Sequence, residues 1–217
     1  MSHIVYEAED AEPFVRSDGA KRIFDVAGAL AALALTAPVM AAIWIVLALG
    51  PGPALFAQVR IGEGGRRFAC LKFRTMVRGA EFAPPCAAAE WGERQKLAND
   101  PRVTRFGRAL RRWGLDETPQ LFNVLRGEMS LVGPRPIIPP ETPGYPADAA
   151  YARSAAFAAY ASLRPGITGL WQVSGGAETP HAERVRLDLE YARRRNVWLD
   201  LRIVLATPAA LIRRKYG

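Results

Sequence analysis

Histidine and cysteine are nearly missing from this 217-residue sequence, with two of each: His3 and His181, Cys70 and Cys86. Two cysteines cannot build a disulfide framework, and two histidines exclude a histidine-rich metal cluster. Zinc chemistry and a Cys/His catalytic pair are therefore not expected. Lysine is scarce too, with four lysines against 25 arginines. Guanidinium is the better fork for phosphate and carboxylate, which suggests phosphate-bearing partners; arginine-rich coding is the competing explanation. Hydrophobic residues make up 50% of the chain and charged residues 23%, which excludes a wholly disordered or collagen-like protein. A polytopic membrane protein is excluded as well, because only one segment is long and apolar enough to cross a bilayer.

What is present is unevenly placed. Of the formal charge of +8, residues 1–18 contribute five acids and one base, so residues 19–217 carry +12. Residues 1–19 read as an acidic, disordered tail. Between Asp25 and Arg60 lie 34 uncharged residues, and Val26 to Leu49 is an apolar run of 24. As a helix this run reaches about 36 Å, enough for a hydrocarbon core. The acidic tail before it, its length and the lack of a clear cleavage site argue against a signal peptide, so the run is expected to stay as an anchor. Pro38 stands in its middle, and Lys21 and Arg22 before it match Arg60, Arg66, Arg67, Lys72 and Arg74 after it. Cationic flanks at both ends favour one cytoplasmic side for both. A kinked re-entrant helix satisfies both facts; a single-pass anchor with a tolerated proline is the alternative.

Leu55–Ile61 and Phe68–Phe73 flank a Gly-rich turn and read as a β-hairpin, with Lys72 and Arg74 on one face. Residues 79–98, with Pro84-Pro85, read as an irregular connection with some helix. Thr104 to Trp113 reads as a basic amphipathic helix with Phe106, Leu110 and Trp113 on one face and Gly107 as a weak point. It either lies at a bilayer interface or packs on the core. Residues 147–161 and 181–195 read as helices, the second with Val185, Leu189 and Ala192 on one face. The tail from Trp198 reads as an apolar interface element interrupted by Pro208.

Chemistry concentrates around Asp116-Glu117. Pro119 puts a helix start near Thr118 and the two acids at its N-terminus, where unpaired N–H groups would keep a carboxylate ionised. Capping by Asp116 is the plain structural alternative. Around the acids stand Arg111, Arg112 and Arg135, the last held between Pro134 and Pro136, and a Gly/Pro turn from Arg164 to Gly169 with Thr168, a weak phosphate cradle. Two acids and several arginines beside a membrane anchor suggest phosphoryl transfer onto or from a lipid.

The ordered motifs Lys21-Arg22-Ile23-Phe24-Asp25, Leu71-Lys72-Phe73-Arg74-Thr75-Met76, Asp116-Glu117-Thr118-Pro119-Gln120-Leu121, Met129 to Pro136 and Arg164 to Val173 closely resemble those of the bacterial sugar transferases, the monotopic phosphoglycosyl transferases. The likeness runs from about residue 20 to 212. It implies transfer of a sugar 1-phosphate from a UDP-sugar to undecaprenyl phosphate, with Mg²⁺, at the cytoplasmic face of the bacterial inner membrane. It further implies Asp116 as nucleophile, Glu117 as its partner at the metal, and Lys72, Arg111 and Arg135 as phosphate contacts; Arg74 on the strand face and Arg164 and Thr168 in the Gly/Pro turn complete the expected substrate-binding set. The family's membrane helix is re-entrant and broken near a proline, which Pro38 matches. Thr118, Gly176 and His181 depart from the family pattern.

The expected fold is α+β. A mainly helical small domain with a short β-hairpin (residues 51–217) is anchored by a kinked re-entrant helix (residues 20–50) and amphipathic interface helices. The expected partners are a UDP-sugar, undecaprenyl phosphate and membrane lipid, with a homodimer left open and no nucleic acid. The competing class is a non-catalytic anchored scaffold whose basic face binds anionic lipid.

Overall fold

The computed structural model describes residues 19–80, 100–176 and 179–213. The expected acidic tail, most of the irregular connection after Gly79, and the basic end at Arg214-Lys215 lie outside the described residues.

The apolar run forms one 30-residue helix, α1 (Gly19–Ala48), long and apolar enough to cross a membrane. Pro38 lies inside it without ending it. Its missing N–H removes one helical bond, to the carbonyl of Ala34. Asp25, Ala29, Ile43 and Leu47 are buried, while Leu35, Trp44 and Leu49 are exposed. The buried positions form a stripe at helical spacing, joined by half-buried Leu33, Thr36 and Met40.

Strands β1 (Leu55–Ile61) and β2 (Arg67–Phe73) form the expected antiparallel hairpin, with Leu55 opposite Phe73 and Ile61 opposite Arg67. On β2 the even positions turn inward: Phe68 and Cys70 are buried and Lys72 is half-buried. Lys72 is thus no solvated edge charge. After the segment outside the description come helix α2 (Arg105–Arg112), a 3₁₀ turn (Leu115–Glu117) and helix α3 (Gln120–Arg126). Strands β3 (Ser130–Val132) and β4 (Gly166–Thr168) pair in parallel, a second small sheet that the Gly/Pro content conceals. Between them lie α4 (Pro146–Ala152) and α5 (Phe157–Ala161), so the Ala-rich stretch is two short helices rather than one. Helices α6 (Leu170–Val173), α7 (His181–Arg194) and α8 (Val197–Arg213) complete the described residues. Pro208 does not interrupt α8.

Two core clusters seat α1 at different heights. Ala29, with Ala32 and Leu33, packs among Phe68, Cys70, Leu121, Val124 and Met129, joining the membrane helix to β2 and α3. Ile43 and Leu47, with Met40, pack on Ala54, Phe73 and Leu110. Polar groups reinforce the first seat. Lys21 Nζ lies 2.9 Å from both Asp25 Oδ1 and Asp200 Oδ2, and the two carboxylates are 1% and 0% exposed. Arg22 donates to the carbonyls of Val124 and Leu125 at 2.7 and 2.9 Å, covering the open C-terminal end of α3.

In α2 only Leu110 of the apolar trio is buried; Phe106 is 37% and Trp113 58% exposed. Gly107 is no weak point, because a Cβ there would stand 2.0 Å from the Thr75 carbonyl oxygen. In α7 the buried face carries Arg184, Leu187, Asp188, Tyr191 and Ala192 rather than Val185 and Leu189. Charged residues can turn inward here because Arg184 pairs with Asp148 at 3.0 Å.

Candidate active site

The acid pair sits on the 3₁₀ turn between α2 and α3, not in the first turn of an α-helix. Gly114 caps that turn and Pro119 caps α3, neither through a side chain, so the capping role for Asp116 is not observed. Asp116 is 8% exposed. Burial pushes its pKa up from the ordinary carboxylate value, the neighbouring Glu117 pushes the same way, and Lys72 and Arg111 pull it back. The expectation that a helix N-terminus ionises this group is corrected: two cations oppose burial instead.

Three of the expected cations gather here. Lys72 Nζ donates to Glu117 Oε1 at 2.8 Å, and Arg135 Nη1 lies 3.6 Å from the same oxygen. Glu117 thereby draws together a strand, a turn and a proline-bounded loop. Arg111 donates through Nε to Thr75 Oγ1 at 2.9 Å. Burial lowers its pKa, while Asp116, Asp100 and Glu117 raise it.

Arg74, Arg164 and Thr168 are engaged elsewhere. β2 ends at Phe73, and Arg74 donates to the carbonyls of Leu47, at 3.0 Å, and Pro51, holding the end of α1. Arg164 pairs with Glu63 at 3.1 Å. Thr168 shares a hydrogen bond of 2.8 Å with Thr207 of α8. In the expected cradle the Gly166 N–H is taken by the Pro134 carbonyl and the Thr168 carbonyl accepts from Gly133 N on the facing strand, each at 2.9 Å. Glycine is needed there for close approach: a Cβ on Gly166 would lie 2.1 Å from Gly133 N, and one on Gly133 2.4 Å from the Arg164 carbonyl oxygen.

The sequence reading missed several residues that build the site. Asn123, fully buried on α3, accepts from Leu71 N at 3.0 Å and donates to the Ala69 carbonyl at 2.8 Å, clamping β2 where Lys72 leaves it. Thr75, inside the quoted Lys72 motif, accepts at its carbonyl from Thr104 N at 3.0 Å as well as holding Arg111. Of the departures, Thr118 donates to the Leu115 carbonyl at 2.8 Å, closing the 3₁₀ turn. His181 packs edge-on against Tyr151, and the Gly176 carbonyl accepts from Thr179.

Among the described residues no group of three or more histidines, cysteines or carboxylates could hold a metal by itself. Two adjacent carboxylates do suit magnesium, which takes one or two from protein and the rest from substrate phosphates and water.

The arrangement can be set beside known proteins. The description "Bacterial sugar transferase" belongs to a family profile that matches residues 16–214. The exopolysaccharide production protein ExoY of Rhizobium meliloti (strain 1021) is 43% identical over 204 residues, 90% of this chain and 87% of that one. The UDP-glucose:undecaprenyl-phosphate glucose-1-phosphate transferase of Caulobacter vibrioides is 44% identical over 206 residues, covering 92% and 72%. The UDP-galactose-lipid carrier transferase of Erwinia amylovora is 41% identical over 201 residues, 89% of this chain; there the chain spans 40% of the relative's length. An acid pair ringed by Lys72, Arg111 and Arg135, on a chain matched almost end to end, makes this protein a member of the bacterial sugar transferase family.

Proposed function

We propose that the protein transfers a sugar 1-phosphate from a UDP-sugar to undecaprenyl phosphate, releasing UMP, as an opening membrane step of exopolysaccharide or glycoconjugate synthesis. Relatives named for galactose and for glucose both align, so a hexose is the proposed sugar. What carries the reading is Asp116: a buried carboxylate that caps no helix, beside a Glu117 whose Oε1 gathers Lys72 and Arg135. An Asp116 oxygen attacks the phosphorus that bears the sugar, and the bond to UMP breaks with its electron pair leaving on the UMP phosphate. A phosphate oxygen of the polyprenol then attacks the same phosphorus and displaces the Asp116 carboxylate, giving the diphosphate-linked lipid. Lys72, Arg111 and Arg135 offset the charge that builds on the phosphate oxygens. Asp116 and Glu117 would hold magnesium, which when bound supplies positive charge against the diphosphate.

The membrane reading is monotopic and re-entrant, on the cytoplasmic face of the inner membrane. Its support is that both ends of α1 pack on one folded body, through Asp25 and Ala29 at one end and Ile43 and Leu47 at the other. Exposed apolar side chains continue on α8, where Trp198, Leu205 and Ile212 are 75%, 69% and 72% exposed, giving a second surface suited to lipid.

Purified protein incubated with a donor radiolabelled in the sugar tests the mechanism. Asp116→Asn is expected to remain folded and to lose both UMP release and protein labelling. Near wild-type lipid product from that variant, or UMP appearing only when lipid acceptor is present, refutes the covalent route.

A further inference from the structure

Between β3 and α4 the chain runs through Pro134-Arg135-Pro136-Ile137-Ile138, where two prolines remove the N–H groups that could continue a sheet. Even so, each carbonyl from Pro134 to Ile137 has a donor. The Pro134 carbonyl accepts from Gly166 N at 2.9 Å and the Ile137 carbonyl from Ile61 N at 3.0 Å. The Arg135 carbonyl accepts from Arg184 Nη2 at 3.2 Å, and the Pro136 carbonyl from Arg60 Nη1 at 2.8 Å. Side chains also take the N–H groups: Ile137 donates to the Tyr160 hydroxyl at 3.2 Å and Ile138 to Asp148 Oδ2 at 2.9 Å. The Tyr160 hydroxyl in turn donates to the Ile61 carbonyl at 2.6 Å.

Two of these donors are buried cations, Arg60 at 7% and Arg184 at 8% exposure. Burying a guanidinium is costly, and a neutral donor would satisfy a carbonyl equally well. Arg184 is itself fixed: Nη1 meets Asp148 Oδ1 at 3.0 Å, and its head lies 5.5 and 5.2 Å from the ring centres of Tyr151 and Trp171. Arg60 donates its other arm to Gln58 at 2.6 Å. The charge of Arg135 also acts on Arg60, so mutual repulsion favours turning the Arg135 fork away, towards Glu117.

We infer that Arg184 and Arg60 are positioning residues for Arg135: they grip the carbonyls on its own residue and the next, and so aim its fork at the acid pair. This rests on the reading that Arg135 meets the donor phosphates. The two arginines touch no reacting atom and act through the loop backbone. Since a planar fork tolerates little rotation, a slackened loop lowers turnover more than donor binding.

The test is a double-mutant cycle on the full chain, reading UMP release with UDP-glucose and UDP-galactose and undecaprenyl phosphate. Arg184→Lys keeps a charge for Asp148 but loses the second arm, and melting curves check its fold. It is expected to lower kcat about tenfold with the donor KM within about twofold, and to add no more than about twofold in an Arg135→Lys background. Tyr160→Phe, which removes one oxygen atom, is expected to lower kcat about threefold and likewise to be silent in that background, so it carries the test if Arg184→Lys does not fold. Both variants within about twofold of wild type, or losses that multiply with that of Arg135→Lys, overturn the positioning role. Wild-type kinetics in Arg135→Lys alone removes Arg135 from the site and the inference with it, while the family assignment stands. Absence of UMP release from the wild type overturns the proposed function itself, and this inference falls with it.

Discussion

Gly107→Ala reverses an ordinary rule. In a helix interior alanine is favoured over glycine by about 1 kcal/mol, so α2 considered alone should gain stability. In the folded protein the new Cβ would lie 2.0 Å from the Thr75 carbonyl oxygen and 2.7 Å from its carbonyl carbon and Cα. Against an ordinary contact near 3.5 Å the overlap is about 1.5 Å, and backbone on both sides leaves no flexible side chain to yield. Overpacking of this kind costs about 1–3 kcal/mol, and displacing the Thr75 carbonyl also weakens its bond from Thr104 N, worth about 1 kcal/mol. The net expectation is a loss of about 1–3 kcal/mol, lowering the melting temperature by about 2–12 °C for a chain of this size. Activity should fall further than stability suggests, because Thr75 Oγ1 holds Arg111, four residues along α2 from Gly107. A shift near 1 Å at a phosphate-binding group costs up to about a hundredfold in rate. Thermal melting in mild detergent and UMP release on the same preparation decide the matter. A variant that melts at or above wild type with unchanged turnover refutes the reasoning.

Thr118→Leu should leave kcat within about threefold, since the hydroxyl donates to the Leu115 carbonyl rather than to either acid; steady-state kinetics checks it. Lys21→Met should destabilise by about 3–5 kcal/mol by stranding Asp25 and Asp200 as buried carboxylates, seen as a large fall in melting temperature. Asp188, buried beside Tyr151, has its pKa pushed up to about 7 by burial. The native state therefore holds a proton that the unfolded chain releases near pH 4, so this group makes stability fall as pH rises from about 4 to about 7. Asp188→Asn should flatten that slope in melting curves taken at several pH values; an unchanged slope assigns it to other groups.

Local patterns made much of this protein legible. The hairpin could be read because a Gly-rich turn separates two strand-like runs, and α7 because its period is helical. The acid pair could be read because Pro119 breaks the chain beside it. Misreadings arose where tertiary partners overrode local rules. Arg74 shares parity with Lys72 along the strand, yet β2 ends between them and its guanidinium goes to the end of α1. Val185, Leu189 and Ala192 share a face by spacing, yet Arg184 and Asp188 turn inward because Asp148 and Tyr151, distant in sequence, supply partners. Glycines read as a phosphate cradle are instead the places where β3 and β4 meet backbone to backbone.

By itself the sequence determined which chemistry was available: few histidines and cysteines, an excess of arginine, two adjacent carboxylates and one long apolar run, each a matter of composition or short-range order. Only the tertiary structure decided which of many arginines serve the acids and which serve the fold. A guanidinium can bond carbonyls as well as carboxylates, so its role depends on which partner the packing brings within about 3 Å. The same holds for α1, apolar on nearly every side. Its sequence allowed any face to be buried, and contact with β2, α3 and the Asp200 carboxylate selected the stripe from Asp25 to Leu47.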